Sequence, residues 1–136
     1  MRIIVNTNRI IAALIKDSVS RKIIIHGNAE FIAIPFVEHE IAPHKQLIID
    51  KAEITESEFD MLIQKLFTKM IQLDDTVILS RMKEASAIMY QIDPDDVPFI
   101  AAALATDAAI WSDDRHFQQQ KKINVYTTHQ LNQMLL

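Results

Sequence analysis

The sequence predicts an α/β fold, a three-layer sandwich with a mostly parallel central sheet flanked by helices. Two observations indicate this class. Short β-branched runs alternate with segments of helical periodicity, and 136 residues with 49% apolar composition can bury a sizeable core. Because no repeat or linker interrupts the pattern, residues 1–136 are expected to form a single domain.

The predicted elements follow from the spacing of apolar residues. Strands are expected where β-branched and aromatic residues run together, at residues 2–6, 31–34, 70–73, 108–111 and 124–127. Helices are expected where apolar residues recur every three or four positions, at residues 9–15, 19–25, 36–41, 46–51, 56–70, 79–92, 97–105 and 129–135. A loop is expected at residues 74–76, a solvated helix end or loop at residues 118–122, and a turn at residues 93–96.

Capping residues mark the predicted helix ends. Asn8, Ser18 or Ser20, and Thr128 are expected to cap helices. The sequence Thr55-Glu56-Ser57-Glu58 is a capping box, and Gly27 is expected to end the second helix.

Composition excludes several classes of function. The chain has no cysteine, which rules out disulfides, thiol catalysis and cysteine-based zinc sites. Its one glycine, Gly27, is too few for a dinucleotide or P-loop phosphate cradle. The net charge of −4 argues against tight non-specific binding to nucleic acid, although not against a nuclease with a local basic rim. The absence of a long apolar stretch and of a signal-peptide pattern predicts a cytoplasmic protein without membrane association.

Polar residues gather where strands end or helices begin. Asn6 follows the first strand and Glu40 the second, Asp96 opens the Ala-rich helix, and Asp114 follows the strand at 108–111. Ligands of open α/β sheets bind beyond the carboxyl ends of the strands. Clustered carboxylates repel one another unless they share a cation, so the pattern predicts a Mg²⁺ or Mn²⁺ site.

Each of these residues also has a purely structural interpretation. Asp96 suits a plain helix cap, and Asn6 suits a turn. Glu38 competes with Glu40, and Asp113 competes with Asp114, because only one member of each pair is expected to face the site. The histidines, at positions 39, 44 and 116 among others, are interpreted as surface or satisfied core residues.

The four blocks together resemble the PIN domain, a small α/β nuclease family, over essentially the whole chain. The opening strand with Asp-Thr-Asn is matched by Ile3-Ile4-Val5-Asn6-Thr7-Asn8, and a Glu before Ile by Glu40-Ile41. An Asp that opens an Ala-rich helix is matched by Asp96, and the final strand-Ser-x-Asp-x-x-Phe block by Ser112-Asp113-Asp114-Arg115-His116-Phe117. No block is specific alone, but their order and separation make a strong joint match.

The resemblance implies a metal-dependent ribonuclease that hydrolyses RNA phosphodiester bonds, similar to the toxins of toxin–antitoxin pairs. Asn6, Glu40, Asp96 and Asp114 would be the catalytic and metal-binding residues. Asn8 and Ser112 would orient the carboxylates. Partners would be RNA, a protein antitoxin and a second copy of the chain in a homodimer.

Position 6 departs from the family pattern, since Asn keeps a carbonyl oxygen but lacks the charge of Asp. Either the position was changed to silence a toxic nuclease, or the protein is a natural weakened or inactive member. Reduced activity is expected in both cases. Asn6 also favours the alternative of a non-catalytic PIN fold that binds RNA or protein. It argues against an aspartyl-phosphate enzyme, which needs an Asp nucleophile after the first strand.

Overall fold

A central parallel sheet organises the molecule, and the computed structural model describes residues 1–16 and 18–136. The strands are β1 (Arg2–Val5), β2 (Glu30–Ala33), β3 (Met70–Gln72), β4 (Ala109–Trp111) and β5 (Val125–Tyr126). Within the described residues they form one sheet of spatial order β3-β2-β1-β4-β5, and every neighbouring pair is parallel. The predicted α/β class is confirmed.

Helices flank the sheet, as expected where parallel strands need crossover connections. They are α1 (Thr7–Ile15), α2 (Val19–His26), α3 (Phe36–Ile41), α4 (Lys45–Ala52), α5 (Glu56–Thr68), α6 (Asp75–Leu79), α7 (Met82–Met89), α8 (Val97–Thr106), α9 (Arg115–Gln118) and α10 (Thr128–Leu135). Single turns of 3₁₀ helix lie at Ala42–His44 and Pro94–Asp96. None of the described helices has the length and apolar content that a membrane crossing requires.

The strand order reverses between β1 and β4. From β1 the chain moves outward through β2 to β3, whereas β5 lies outward of β4 in the opposite direction. Val5 is the register partner of Trp111, and the backbone N–H of Asn6 donates to the Trp111 carbonyl at 3.2 Å. Since ligand sites of open parallel sheets lie at such reversals, this edge is where a site is expected.

The core is built around β1 and two helices. Ile3, Ile4 and Val5 of β1 are fully buried, as expected for a central parallel strand. Helix α1 is also fully buried at Ile10 and Leu14, which belong to the core, while Ile11 and Ile15 beside them are only partly buried. Helix α8 packs against β1, β4, α6 and α7, which its buried alanines at 101–103 permit because small side chains allow close approach.

Two caps differ from the prediction, and two agree with it. The cap of α1 is Asn6, whose side-chain oxygen accepts from the Asn8 N–H, and not Asn8 itself. The cap of α10 is Thr127, in a capping box with Gln130, and not Thr128. The cap of α2 is Ser18, one of the two predicted candidates, and the predicted capping box at Thr55 is confirmed.

Two segments differ from the prediction, one in secondary structure and one in burial. Asp74 accepts from both the N–H and the hydroxyl of Thr76 at 2.9 Å, and this starts α6 within the predicted loop. The predicted helix at 79–92 is consequently shorter, because a turn at residues 80–81 separates α6 from α7.

The segment at 118–122 was expected to be a solvated helix end or loop. Helix α9 does end there, at Gln118, but Gln120 is buried, and its side chain bonds the backbone of Phe117, Lys122 and Ile123.

Gly27 should resist substitution even though its φ of −64° suits any residue. A Cβ there would lie 2.5 Å from the Ile23 carbonyl oxygen and 3.1 Å from the Phe31 ring, so the backbone would have to shift. We expect Gly27→Ala to lower the free energy of unfolding by about 1–3 kcal/mol, the usual cost of overpacking.

Urea unfolding measures this change, and the neighbouring exposed Asn28→Ala is the control, expected to stay within about 0.5 kcal/mol of the parent. Equal stability of Gly27→Ala and the parent would show that α2 and β2 adjust to the added methyl group.

Candidate metal centre

The candidate site lies at the carboxyl ends of β1 and β4, where Asn6 and Ser112 follow paired strands. Asn6 is 6% exposed, and its amide oxygen is engaged as the α1 cap at 3.2 Å from the Asn8 N–H. Asp caps helices as well as Asn does, so the cap does not itself require an amide. Position 6 therefore offers a cation a buried, uncharged side-chain oxygen at the edge of the sheet.

Thr7 contacts a predicted acid, whereas Asn8 does not. The Thr7 hydroxyl donates a hydrogen bond to Glu40 from the first turn of α1, and Thr7 is 5% exposed. The Asn8 side chain is exposed and has no hydrogen-bond partner among the described residues. The orienting role predicted for Asn8 is in this structure performed by its neighbour.

Glu40 projects from α3 toward the acids of the Pro94–Asp96 turn. Burial raises its pKa, the Thr7 hydrogen bond opposes that rise, and Asp95 and Asp93 add repulsion. Glu38, the competing acid, is exposed and lines a separate, largely apolar groove between α3 and α5 with Phe59. Glu40 and Glu38 therefore project from α3 into different surroundings.

Asp96 has the least satisfied polar side chain at this edge. It is 8% exposed, it makes no side-chain cap bond to α8, and its Oδ2 is buried without a hydrogen-bond partner among the described residues. The helix-cap interpretation of Asp96 is therefore wrong. An unpaired buried carboxylate oxygen is costly, so its retention calls for a ligand.

Charge repulsion surrounds the same carboxylate. Burial, together with the charges of Asp93 and Asp114, raises the pKa of Asp96 to about 7, while His116 opposes the rise. Glu40 contributes a smaller repulsive part. The charges of these acids therefore repel one another, as those of groups gathered around a cation position would.

Asp114 and Asp113 have separate contacts. Asp114 caps α9 by accepting from the His116 N–H at 2.9 Å, and its own N–H donates to the Ser112 hydroxyl at 3.0 Å. Ser112 thus contacts the Asp114 backbone, and not a carboxylate as predicted.

Asp113 is held away from the acids by other elements. It accepts from the N–H and hydroxyl of Thr128 at 2.8 and 2.7 Å, and it pairs with Arg9 at 2.8 Å. Arg9 and the Trp111 indole also donate to the Thr128 hydroxyl, at 3.2 and 3.0 Å. Since both Asp113 oxygens are occupied, Asp114 is the freer acid of the pair.

Two residues at the site were missed as candidates from the sequence. Asp93 Oδ2 lies 3.0 Å from His116 Nδ1, and that nitrogen lies 3.5 Å from Asp114 Oδ1. His116 is half exposed, which agrees with a surface histidine, yet it has a carboxylate partner. A usable signal was present, since Asp93 stands three residues before Asp96 and His116 two after Asp114.

The donor set fits a hard divalent cation. The predicted donors Asn6, Glu40, Asp96 and Asp114 are carboxylates and an amide oxygen, the ligands that Mg²⁺ and Mn²⁺ take in proteins. Of these four, only Asp96 belongs to the group of described side chains whose ligand atoms lie within 4.8 Å of one another, which consists of Asp93, Asp96 and His116. The unpartnered Asp96 oxygen supplies a coordination position that no described protein group fills. The fold and this edge together define an α/β protein with an acidic centre at the reversal of strand order.

The chain belongs to the PIN domain family, whose sequence profile matches residues 4–135. The fold is similar to that in the crystal structure of VapBC2 from Rickettsia felis bound to a DNA fragment from their promoter, with a TM-score of 0.71 and 14% identity over 93% of this chain and 98% of that one. It is also similar to PAE2754 from Pyrobaculum aerophilum, with a TM-score of 0.64 and 12% identity over 98% and 88%. No curated protein matches the sequence significantly.

The raised pKa of Asp96 predicts how the stability of the metal-free chain depends on pH. Folding raises its pKa from 3.8 to about 7, so between those values the folded state holds a proton that the unfolded state releases. The contribution of Asp96 is fully present below pH 3.8 and is lost as the pH rises through about 7. Each tenfold difference in proton affinity between the folded and unfolded states changes the free energy of unfolding by about 1.4 kcal/mol.

Urea unfolding in EDTA between about pH 5 and pH 8 measures this dependence. Asp96→Asn should flatten it, because the amide does not titrate. Asp50→Asn is the control, since Asp50 lies on the exposed surface of α4 and contacts only Gln46 by hydrogen bond. Parallel curves for the parent and Asp96→Asn would contradict the prediction.

Proposed function

We propose that this protein is a metal-dependent PIN-type endoribonuclease, attenuated because Asn6 stands where the family pattern has Asp. The observation that carries the proposal is the buried Asp96 carboxylate, whose Oδ2 has no hydrogen-bond partner in the described part of the chain and which lies among other acids. A carboxylate in that state is suited to a cation and has no evident structural use. Membership of the PIN family agrees with this proposal.

The proposed ligands are Asn6, Glu40, Asp96 and Asp114. A bound Mg²⁺ or Mn²⁺ supplies polarisation of the scissile phosphate and a lowered pKa of the attacking water. Thr7 holds the Glu40 carboxylate, and Ser112 fixes the backbone of Asp114. Glu40 and Asp114 are thus each restrained by a neighbour, which orients them as ligand sites require, whereas Asp96 has no such neighbour among the described residues.

Asn6 is the residue from which we expect weakened binding of the metal ion. Its amide oxygen is already the α1 cap, and it adds no negative charge to the site. An Asp at this position would keep the cap and add one negative charge next to Thr7, the residue that bonds Glu40. We therefore attribute a weakened cation affinity to this residue, while the remaining acids keep the site intact.

We further propose that the protein acts as the toxin of a toxin–antitoxin pair in the cytoplasm, as a homodimer with RNA as its substrate. The similarity of its fold to VapBC2 of Rickettsia felis supports the toxin–antitoxin part of this proposal, whereas the homodimer, the RNA substrate and the cytoplasmic location are proposed from the family resemblance alone. An antitoxin would restrain the nuclease by covering the acidic edge or an adjoining groove.

A second candidate function is a PIN fold that binds RNA or a protein without cutting. One observation favours it: with a pKa near 7, Asp96 can be neutral at physiological pH, which relieves repulsion without a cation. Asn6 reduces the charge of the edge in the same direction. This candidate predicts no response to divalent metal.

Cleavage of labelled single-stranded RNA in Mn²⁺ or Mg²⁺ tests the proposed activity. We expect Asn6→Asp to cut at least roughly tenfold faster than the parent, because the added carboxylate tightens cation binding. Asn6→Asp combined with Asp96→Asn should be inactive, since that variant loses the central ligand. If no variant cuts any RNA and none responds to metal, the binding-module function is the better assignment.

Thermal unfolding with increasing Mn²⁺ tests the metal site without requiring activity. A cation that binds only the folded state raises the midpoint, so we expect a concentration-dependent increase in the parent and a larger one in Asn6→Asp. Glu40→Gln should reduce the increase.

Glu38→Gln is the matched control for Glu40→Gln, because it removes the same charge from the same helix at an exposed position facing the separate groove. Equal loss of the Mn²⁺ response in both variants would indicate a diffuse charge effect and contradict the assigned ligand.

A further inference from the structure

Three side chains converge beside α8, and only one of them, Asp96, was predicted from the sequence as a site residue. Asp93, Asp96 and His116 each offer a ligand atom, and these atoms all lie within 4.8 Å of one another. Asp93 uses Oδ1 to accept from the Asp95 N–H at 3.0 Å, which leaves Oδ2 facing His116 at 3.0 Å. The Asp93 carboxylate is therefore fixed by the turn and directed at the imidazole.

The second observation is independent of that contact. Asp96 is 8% exposed, and its Oδ2 has no hydrogen-bond partner among the described residues. An ordinary Asp–His surface pair does not explain this oxygen, because the imidazole bonds Asp93 and leaves Asp96 unsatisfied. A cation placed among the three groups would take Asp93 Oδ2 and His116 Nδ1 as ligands in place of their hydrogen bond, and it would also neutralise the buried Asp96 carboxylate.

We propose that His116 is a metal ligand and that Asp93, Asp96 and His116 form a nitrogen-containing cation position selective for Mn²⁺ over Mg²⁺. This inference rests on the proposed function, because Asp96 belongs to both ligand sets. It goes further in assigning His116 and Asp93, which stand outside the predicted acids, and in naming the metal preference that they produce.

The selectivity follows from the ligand chemistry. Mg²⁺ demands near-ideal octahedral geometry and is bound through carboxylates and waters. Mn²⁺ takes the same oxygen ligands, but as a first-row transition ion it also binds imidazole nitrogen, more weakly than Fe²⁺, Ni²⁺, Cu²⁺ or Zn²⁺ does. His116 is half exposed, and its Nδ1 lies 3.5 Å from Asp114 Oδ1, so the imidazole borders both acidic groups. Loss of the nitrogen should remove the preference and leave the carboxylates able to bind either ion.

Pulsed EPR of Mn²⁺ bound to the full chain tests the ligand directly, because a coordinated imidazole produces ¹⁴N modulation. The variant is His116→Gln, which keeps a polar group near Asp93. The control is His26→Gln, since His26 ends α2 before β2 begins, at the opposite end of the sheet. Competition titrations with Mg²⁺ on the same samples measure selectivity.

We expect nitrogen modulation in the parent and in His26→Gln, its loss in His116→Gln, and a decrease of at least roughly tenfold in the Mn²⁺-over-Mg²⁺ preference, the scale seen when even an indirect support of a metal ligand is lost. Modulation that is absent from the parent, or that persists in His116→Gln, overturns the inference.

The outcomes separate this inference from the proposed function. If Mn²⁺ binds through Asp96 and the Asn6→Asp form cuts RNA without nitrogen modulation, the nuclease assignment stands and His116 is not a ligand. If nitrogen modulation is present but no variant cuts RNA, the metal site is supported and the nuclease assignment fails. If Asp96→Asn binds Mn²⁺ as the parent does, both are overturned.

Discussion

The pairing of β1 with β4 is the constraint on which the acidic edge depends. The pairing places Val5 opposite Trp111, so Asn6 and Ser112 emerge side by side where the strand order reverses. A slip of one residue would exchange the two faces of β1, and its three buried side chains would lose their packing. The core therefore fixes the register, and the register fixes where the polar side chains meet.

Acidic side chains are concentrated at this edge of the sheet, and hydrogen bonds from nearby backbone N–H groups hold two of them in place. Asp93 and Asp114 each use Oδ1 to accept a backbone N–H at the start of a helical turn, which restricts their side chains. Asp96 has no such bond, and burial among like charges raises its pKa to about 7. Local capping thus positions the flanking acids, while the central one is left unpaired at a cost to stability.

The sequence predicted the sheet and the four polar positions because β-branched runs and strand ends leave local signals. It did not predict which neighbours would contact them. Asn6 and Asn8 are both acceptable caps in sequence, and only the entry angle of the chain decides that Asn6 is used. Helix α6 was missed because the Asp74–Thr76 bonds that start it resemble a turn. The Asp93–His116 contact spans 23 positions, so no periodicity reveals it.

The contacts of Asp113 also bear on the order in which the molecule assembles. Arg9 donates to the Thr128 hydroxyl across 119 positions, and both residues hold Asp113 beside Asp114. Such a long loop forms its closing contacts only after the intervening chain has collapsed. The loop that presents Asp114 therefore has its full set of restraints only when α10 has docked. A chain still emerging from the ribosome lacks those restraints until its last helix is available.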